Sequence, residues 1–136
     1  MSVQLSVDNV QPAMIVENEP VKVTWTVQVG DHIEARSLVV TLLTDDARLI
    51  LLDPKSQESP PEWSVAVQPG QKITKTWQVM IQRRKGLIDE HSRDGGGSPF
   101  FLLGRVRHDS EVLASAVGVE VEFQGLAKRA PPRIFG

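Results

Sequence analysis

Three histidines, His32, His91 and His108, each sit within one residue of an acidic side chain: Asp31, Glu90 and Asp109. Acid–base or hydrolytic chemistry needs such a histidine to converge in a pocket with a carboxylate and, for acyl transfer, a serine. Ser92 and Ser98 flank a glycine run, but no Gly-x-Ser-x-Gly nucleophile elbow is present. All three histidines fall in predicted turns or loops, where histidine and aspartate usually face water and bond the local backbone. No catalytic residue is assigned, and the chain reads as a non-enzyme. The candidate metal clusters are Asp45-Asp46, Asp89-Glu90-His91 and His108-Asp109. Calcium needs six to eight oxygens, and no EF-hand spacing supplies them, so only long-range convergence would make a site. The chain has no cysteine, which excludes a disulfide framework and cysteine-ligated zinc. Asp94-Gly95-Gly96-Gly97 resembles a phosphate cradle in composition alone. A phosphate loop opens a helix, whereas Ser98-Pro99 leads into a predicted strand. No metal and no cofactor are expected.

Basic residues form local spots: Arg83-Arg84-Lys85, the pair Arg105 and Arg107, and Lys128-Arg129 with Arg133. The chain nevertheless carries a net charge of -2, with four Phe, three Trp and no Tyr. A nucleic-acid binder usually shows a basic domain with aromatics among the charges, so no nucleic-acid partner is expected. Arg105 and Arg107 alternate with Gly104 and Val106, which places both on one face of a strand and suits an acidic protein partner. The C-terminal stretch GLAKRAPPRIFG puts Ile134 and Phe135 beyond Pro131-Pro132, on chain biased to extended geometry. It reads either as a frayed terminus or as an arm that docks on a neighbouring subunit. The candidate protein-contact residues are therefore Arg105, Arg107, Arg129, Arg133, Ile134 and Phe135.

The elements that must position these residues are strands. Val21 to Val29 alternates apolar and polar without a break, the period of a strand with one buried and one wet face. The same alternation recurs in Val3-Leu5-Val7, in Ile73-Trp77-Val79-Ile81 with Lys75 as the one lapse, and in Val117-Val119-Val121-Phe123. Between them lie continuous apolar runs at Leu38 to Leu43, Leu49 to Leu52 and Phe100 to Leu103, which suit central strands of a sandwich. Strands are expected at roughly 2–8, 20–29, 35–44, 47–52, 63–67, 72–82, 99–108 and 111–124, with an extra edge piece at Met14 to Val16. His108 to Glu111 reads as a hairpin loop, and the segment from Asp94 to Pro99 as chain unable to hold a regular element. Trp25, Trp63 and Trp77 are expected in the core, and Lys22, Lys72 and Lys75 as guards of exposed edges.

At 136 residues this is one domain large enough to need no staple. It is read as an all-β, immunoglobulin-like antiparallel β-sandwich of seven to nine strands over residues 1–124, with an extended arm over 125–136. The start lacks the basic and apolar regions of a secretion signal, and no apolar run approaches the ~20 residues that span a bilayer. The protein is expected to be soluble, with no membrane insertion, and its compartment is left open; an extracellular or viral assembly fits.

Three stretches resemble the bacterial and archaeal immunoglobulin-like domains of CARDB type. They are Asn18-Glu19-Pro20 with the strand that follows, Val67-Gln68-Pro69-Gly70-Gln71 leading into Ile73 to Val79, and the closing pair Phe100 to His108 and Val112 to Phe123. An arrestin-like sandwich is the alternative resemblance. The CARDB resemblance implies an adhesion, spacer or assembly module and transfers no catalytic residue. The leading functional expectation is thus a structural or assembly module contacting protein neighbours, itself among them, as in a surface layer, a filament or a virion accessory protein. A second is a carbohydrate- or peptide-binding module using the loops around Asp31-His32, Asp53 to Trp63 and Asp94 to Ser98. A third is an adaptor in a protein complex.

Overall fold

The computed structural model describes residues 3–32, 34, 36–84 and 97–125. Nine strands are present among them: β1 (Val3–Gln11), β2 (Met14–Ile15), β3 (Val21–Val29), β4 (Arg36–Thr44), β5 (Leu49–Leu52), β6 (Glu62–Val67), β7 (Lys72–Arg83), β8 (Gly97–His108) and β9 (Glu111–Gln124). They form a four-stranded sheet in the order β1-β3-β7-β5 and a five-stranded sheet in the order β2-β9-β8-β4-β6. Every connection except the β8–β9 hairpin carries the chain from one sheet to the other. Pairing is antiparallel except at the two-residue β2, which runs parallel to β9, so the wholly antiparallel expectation gives way at that edge.

The strand residues that alternate in sequence alternate in burial. In β3, Val21, Val23, Trp25, Val27 and Val29 are buried while Lys22 and Gln28 face outward. β1 runs three residues past its expected end, because Asp8 is bulged out between Val7 and Asn9 and resets the phase so that Val10 is buried. β8 begins at Gly97, which corrects the reading of Asp94 to Pro99 as irregular throughout. A Cβ at Gly97 would lie 2.9 Å from the Phe123 carbonyl oxygen, so glycine lets β8 pass close to β9 there. Pro99 lies where β8 pairs with β9 but not yet with β4, a half-paired stretch that tolerates a missing N–H. The hairpin closes through Asp109-Ser110, with Asp109 at φ 51, a backbone region that aspartate enters more readily than most residues. Lys22 sits on central β3, between β1 and β7, so it guards no edge.

The core has two clusters of buried side chains. One gathers Val21, Leu42, Trp63, Phe100 and Phe123 among others; the second gathers Trp25, Val27, Leu38, Val65 and Val106. Trp77 packs against both. At one seam β1 presses against the five-stranded sheet through two glycines. A Cβ at Gly104 would stand 2.7 Å from Leu5 Cδ2, and one at Gly118 would stand 2.7 Å from the Leu102 carbonyl oxygen and 2.9 Å from Val7. The link from β4 to β5 is locked by a buried ion pair. Asp46, 2% exposed, accepts two hydrogen bonds from the Arg48 guanidinium, at 3.0 and 2.8 Å, and one from the Arg48 backbone N–H. The same guanidinium donates to Ser98 Oγ at 3.0 Å, tying this turn to the start of β8.

Two substitutions test these constraints. Gly118→Ala forces its new methyl into backbone that cannot move aside and is expected to destabilise the fold by about 2 kcal/mol, read as a lower urea midpoint. Asp46→Asn removes the buried carboxylate charge that the Arg48 guanidinium grips and is expected to remove about 3 kcal/mol; an unchanged midpoint would show that the pair contributes nothing.

Candidate protein-contact face and seam

The outer face of the five-stranded sheet is built by the odd-numbered residues of β4 and β8. Their even-numbered neighbours, such as Val40, Leu42, Leu102 and Val106, fill the core. Val39, Leu43, Phe101 and Leu103 therefore point outward, and all are half-buried rather than covered. Val112 and Val119 on β9 are 49% and 42% exposed. Leu43 and Leu103 form, with Arg105, Ser115 and Ala116, a shallow cleft of about 240 Å³. The opposite face of the sandwich is polar: Thr24 bonds Thr76 at 2.9 Å, Thr26 bonds Thr74 at 3.0 Å, and Asp8 accepts from Ser6 and Thr26.

Arg105 and Arg107 share the outer face, as their spacing predicts, but their circumstances differ. Arg107 donates to Glu62 Oε2 at 2.9 Å and to the Asp109 carbonyl at 2.7 Å. Glu62 Oε2 also accepts from Thr41 Oγ1 at 2.9 Å, so the cluster spans β6, β4 and β8. The Arg107 hydrogen bond, followed by that from Thr41, holds the Glu62 carboxyl below its ordinary value of 4.5, against the opposing effect of burial. Arg105 is exposed, level with Thr41 and Ser115, and makes no ion pair among the described residues. The basic stripe is thus one spent arginine and one available arginine. Arg129, Arg133, Ile134 and Phe135 lie outside the described residues, as do His91 and Asp89-Glu90.

Of the loops in the ligand-binding reading, those at Asp31-His32 and Asp53 do not converge, and Asp94 to Gly96 of the third lie outside the described residues. Asp31 lies against Gly70, in the turn that opens β7. Asp53 follows β5, which pairs with Met80 to Arg83 at the far end of β7. Eight strand residues at ~3.3 Å each separate the two ends, about 26 Å. His108 Nδ1 stands 3.9 Å from Asp109, itself fully solvated, and no group of three metal-ligating side chains occurs among the described residues.

Sequence reasoning missed a second feature, the seam opposite β1 and β9. There β6 and the first part of β7 run side by side, separated by a groove of about 420 Å³ between Ser64 to Ala66 and Ile73 to Trp77. Trp77 lines it, with its ring stacked on that of Trp63 at 4.5 Å. Trp63 is buried, as expected, while Trp77 is only partly so. The one sequence signal for the groove was Lys75, the break in the β7 alternation.

No family model matches the chain, and no curated protein matches it. Solved structures do. A CARDB domain of Pyrococcus furiosus, solved in complex with di-metal ions, superposes with a TM-score of 0.51 at 13% identity, over 90% of this chain and 89% of that one. The alkylpurine DNA glycosylase AlkC of Pseudomonas fluorescens, bound to DNA containing an abasic site analogue, gives 0.51 at 16% identity. That match covers 91% of this chain and 31% of the glycosylase chain. The fold is an immunoglobulin-like β-sandwich. At such identities the likeness speaks to the fold and not to what the protein does. No helix among the described residues is long and apolar enough to cross a membrane.

The Glu62 cluster gives a pH-dependent expectation. Because its folded-state pKa is depressed, Glu62 stabilises the fold fully above its unfolded value and loses that contribution as pH falls below 4.5 through the lower folded value. Glu62→Gln is expected to flatten this part of the acid-stability profile, measured as urea midpoints from pH 6 downward, and a profile parallel to the parent would exclude the linkage.

Proposed function

We propose that this chain is a non-enzymatic module that contacts protein neighbours through the outer face of the five-stranded sheet and through its C-terminal arm. The role fits a surface-layer, filament or virion accessory protein, and the CARDB-type resemblance belongs to the same proposal. The observation that carries it is the group of half-buried apolar side chains Leu43, Phe101 and Leu103 on two central strands, with Arg105, which makes no ion pair among the described residues, at its margin and Val39 beyond. A solvated sheet face ordinarily alternates to polar residues, as the opposite sheet does. An apolar centre with a charged margin is the anatomy of a contact patch, where burial supplies affinity and the rim supplies register. The arm, with Ile134 and Phe135 at its tip, supplies apolar anchors of the size such a patch accommodates. The loop-based ligand reading is the weaker alternative, since its Asp31-His32 and Asp53 loops lie about eight strand residues apart along β7. The metal ions of the Pyrococcus domain form no part of the reading, because the described residues offer no cluster to hold them.

The test is the solution mass of the full chain and of a chain ending at Gln124, by light scattering over a concentration series. The full chain is expected to associate, and both the truncation and Leu103→Glu to reduce it to monomer. Monomers of the full chain at every concentration would overturn association through the arm.

A further inference from the structure

The two seams of the sandwich are unlike. At the β1/β9 seam the sheets press together through Gly104 and Gly118. At the other, among the described residues, β6 is paired only with β4, and β7 is paired by β5 only over Met80 to Arg83. The stretch Lys72 to Val79 pairs with β3 on one side and with no described strand on the other. Its outer backbone N–H and C=O groups have no ladder partner among the described residues, a template for one more strand.

The side chains that β7 turns toward that groove are Ile73, Lys75 and Trp77, two residues apart. Ile73 is 9% exposed, and Trp77 is partly buried against both core clusters. Lys75 occupies the same phase between them, yet it is exposed and has no ion pair among the described residues. A lysine in the inward phase of an edge strand blocks pairing with a like strand, because symmetric β7–β7 pairing centred there brings two ammonium groups together. A strand that places a carboxylate opposite Lys75 meets the reverse condition, and its flanking positions two residues away fall on Ile73 and Trp77.

We propose that this seam is a docking site for an extended segment of a different protein, which adds as a strand to the Lys72 to Val79 edge and carries an acidic residue between two apolar ones in the pattern apolar-x-acid-x-apolar. Main-chain pairing supplies the affinity, and the three groove-facing positions supply the selectivity. The site is separate from the outer face of the five-stranded sheet, and the proposal goes beyond the contact role assigned to that face.

The experiment titrates the full-length, ¹⁵N-labelled chain with the capped peptide Thr-Val-Thr-Glu-Thr-Val-Thr and with its Lys-centred counterpart, to about 1 mM. The Glu peptide is expected to shift the amides of Lys72 to Val79 and Ser64 to Ala66, to slow their hydrogen exchange, and to bind about tenfold more tightly than the Lys peptide. Lys75→Glu, an exposed change whose fold is checked by unaltered shifts in β1 and β9, is expected to reverse the order of the two peptides. Absence of shifts along β7, equal binding of both peptides, or an order unchanged in the variant each overturns the proposal. Shifts confined to the outer face of the five-stranded sheet would also overturn it, while leaving the contact reading of that face intact.

Discussion

Trp77 is the side chain on which the two halves of the core depend. Its ring lies parallel to that of Trp25, 6.2 Å away with 3° between the planes, and against that of Trp63 at 4.5 Å. Trp25 belongs to one buried cluster and Trp63 to the other, and Trp77 packs on both. The ladder runs from central β3 through β7 to β6 at the edge of the facing sheet, so it fixes the separation of the sheets where no glycine draws them together. The buried indole N–H groups of Trp25 and Trp77 have no acceptor among the described residues. A buried donor left unpaired costs about 1–3 kcal/mol, whereas a ring of this size buries ~200 Å² and gains about 5 kcal/mol. Packing area outweighs the lost hydrogen bonds, which makes large rings at this position tolerable despite their polar atoms.

The asymmetry of the seams follows from those side chains. Glycine at 104 and 118 removes the Cβ atoms that would hold β1 away, and the sheets close there. Stacked indoles at 63 and 77 have the opposite effect and prop the other seam open. A strand edge beside an open groove is an aggregation hazard, and Lys75 is the charge that opposes it. The same logic separates the outer faces. The four-stranded sheet spends the outward positions shared by β3 and β7 on mutually bonded Thr hydroxyls, while the five-stranded sheet leaves Leu and Val half-covered.

The strands were legible in the sequence because the fold imposes contrast between faces. Where β3 has one buried and one wet side, the alternation is complete, and its ends were placed within a residue. Legibility failed wherever long-range register decides. The three-residue step from Val7 to Val10 is the trace of the Asp8 bulge, but a strand end and a bulge leave the same mark in one sequence. Lys22 alternates as an edge lysine would, and only pairing on both sides shows it to be central. The Glu62–Thr41–Arg107 cluster joins residues from three strands, and nothing local announces that Glu62 and Arg107 both flank β4. Of the candidate contact residues, Arg105 and Arg107 were placed on one face by their spacing alone. Their spacing said nothing of which arginine is already engaged.

The apolar runs at Leu38 to Leu43 and Phe100 to Leu103 carry the deepest functional information. Runs of that kind belong to strands covered on both faces. Here β4 and β8 are neighbours in the sheet, and their even-numbered residues meet the core while no described element covers Val39, Leu43, Phe101 and Leu103 on the other side. Stability of the sandwich does not require Val39, Leu43, Phe101 and Leu103 to be apolar, since polar residues serve at the equivalent outward positions of β3 and β7. Folding alone therefore leaves the apolar type of these side chains unexplained, and the proposed contact role accounts for it. Under the proposed contact role, Arg105, exposed and without an ion pair among the described residues, gives whatever covers this face a preferred sign of charge.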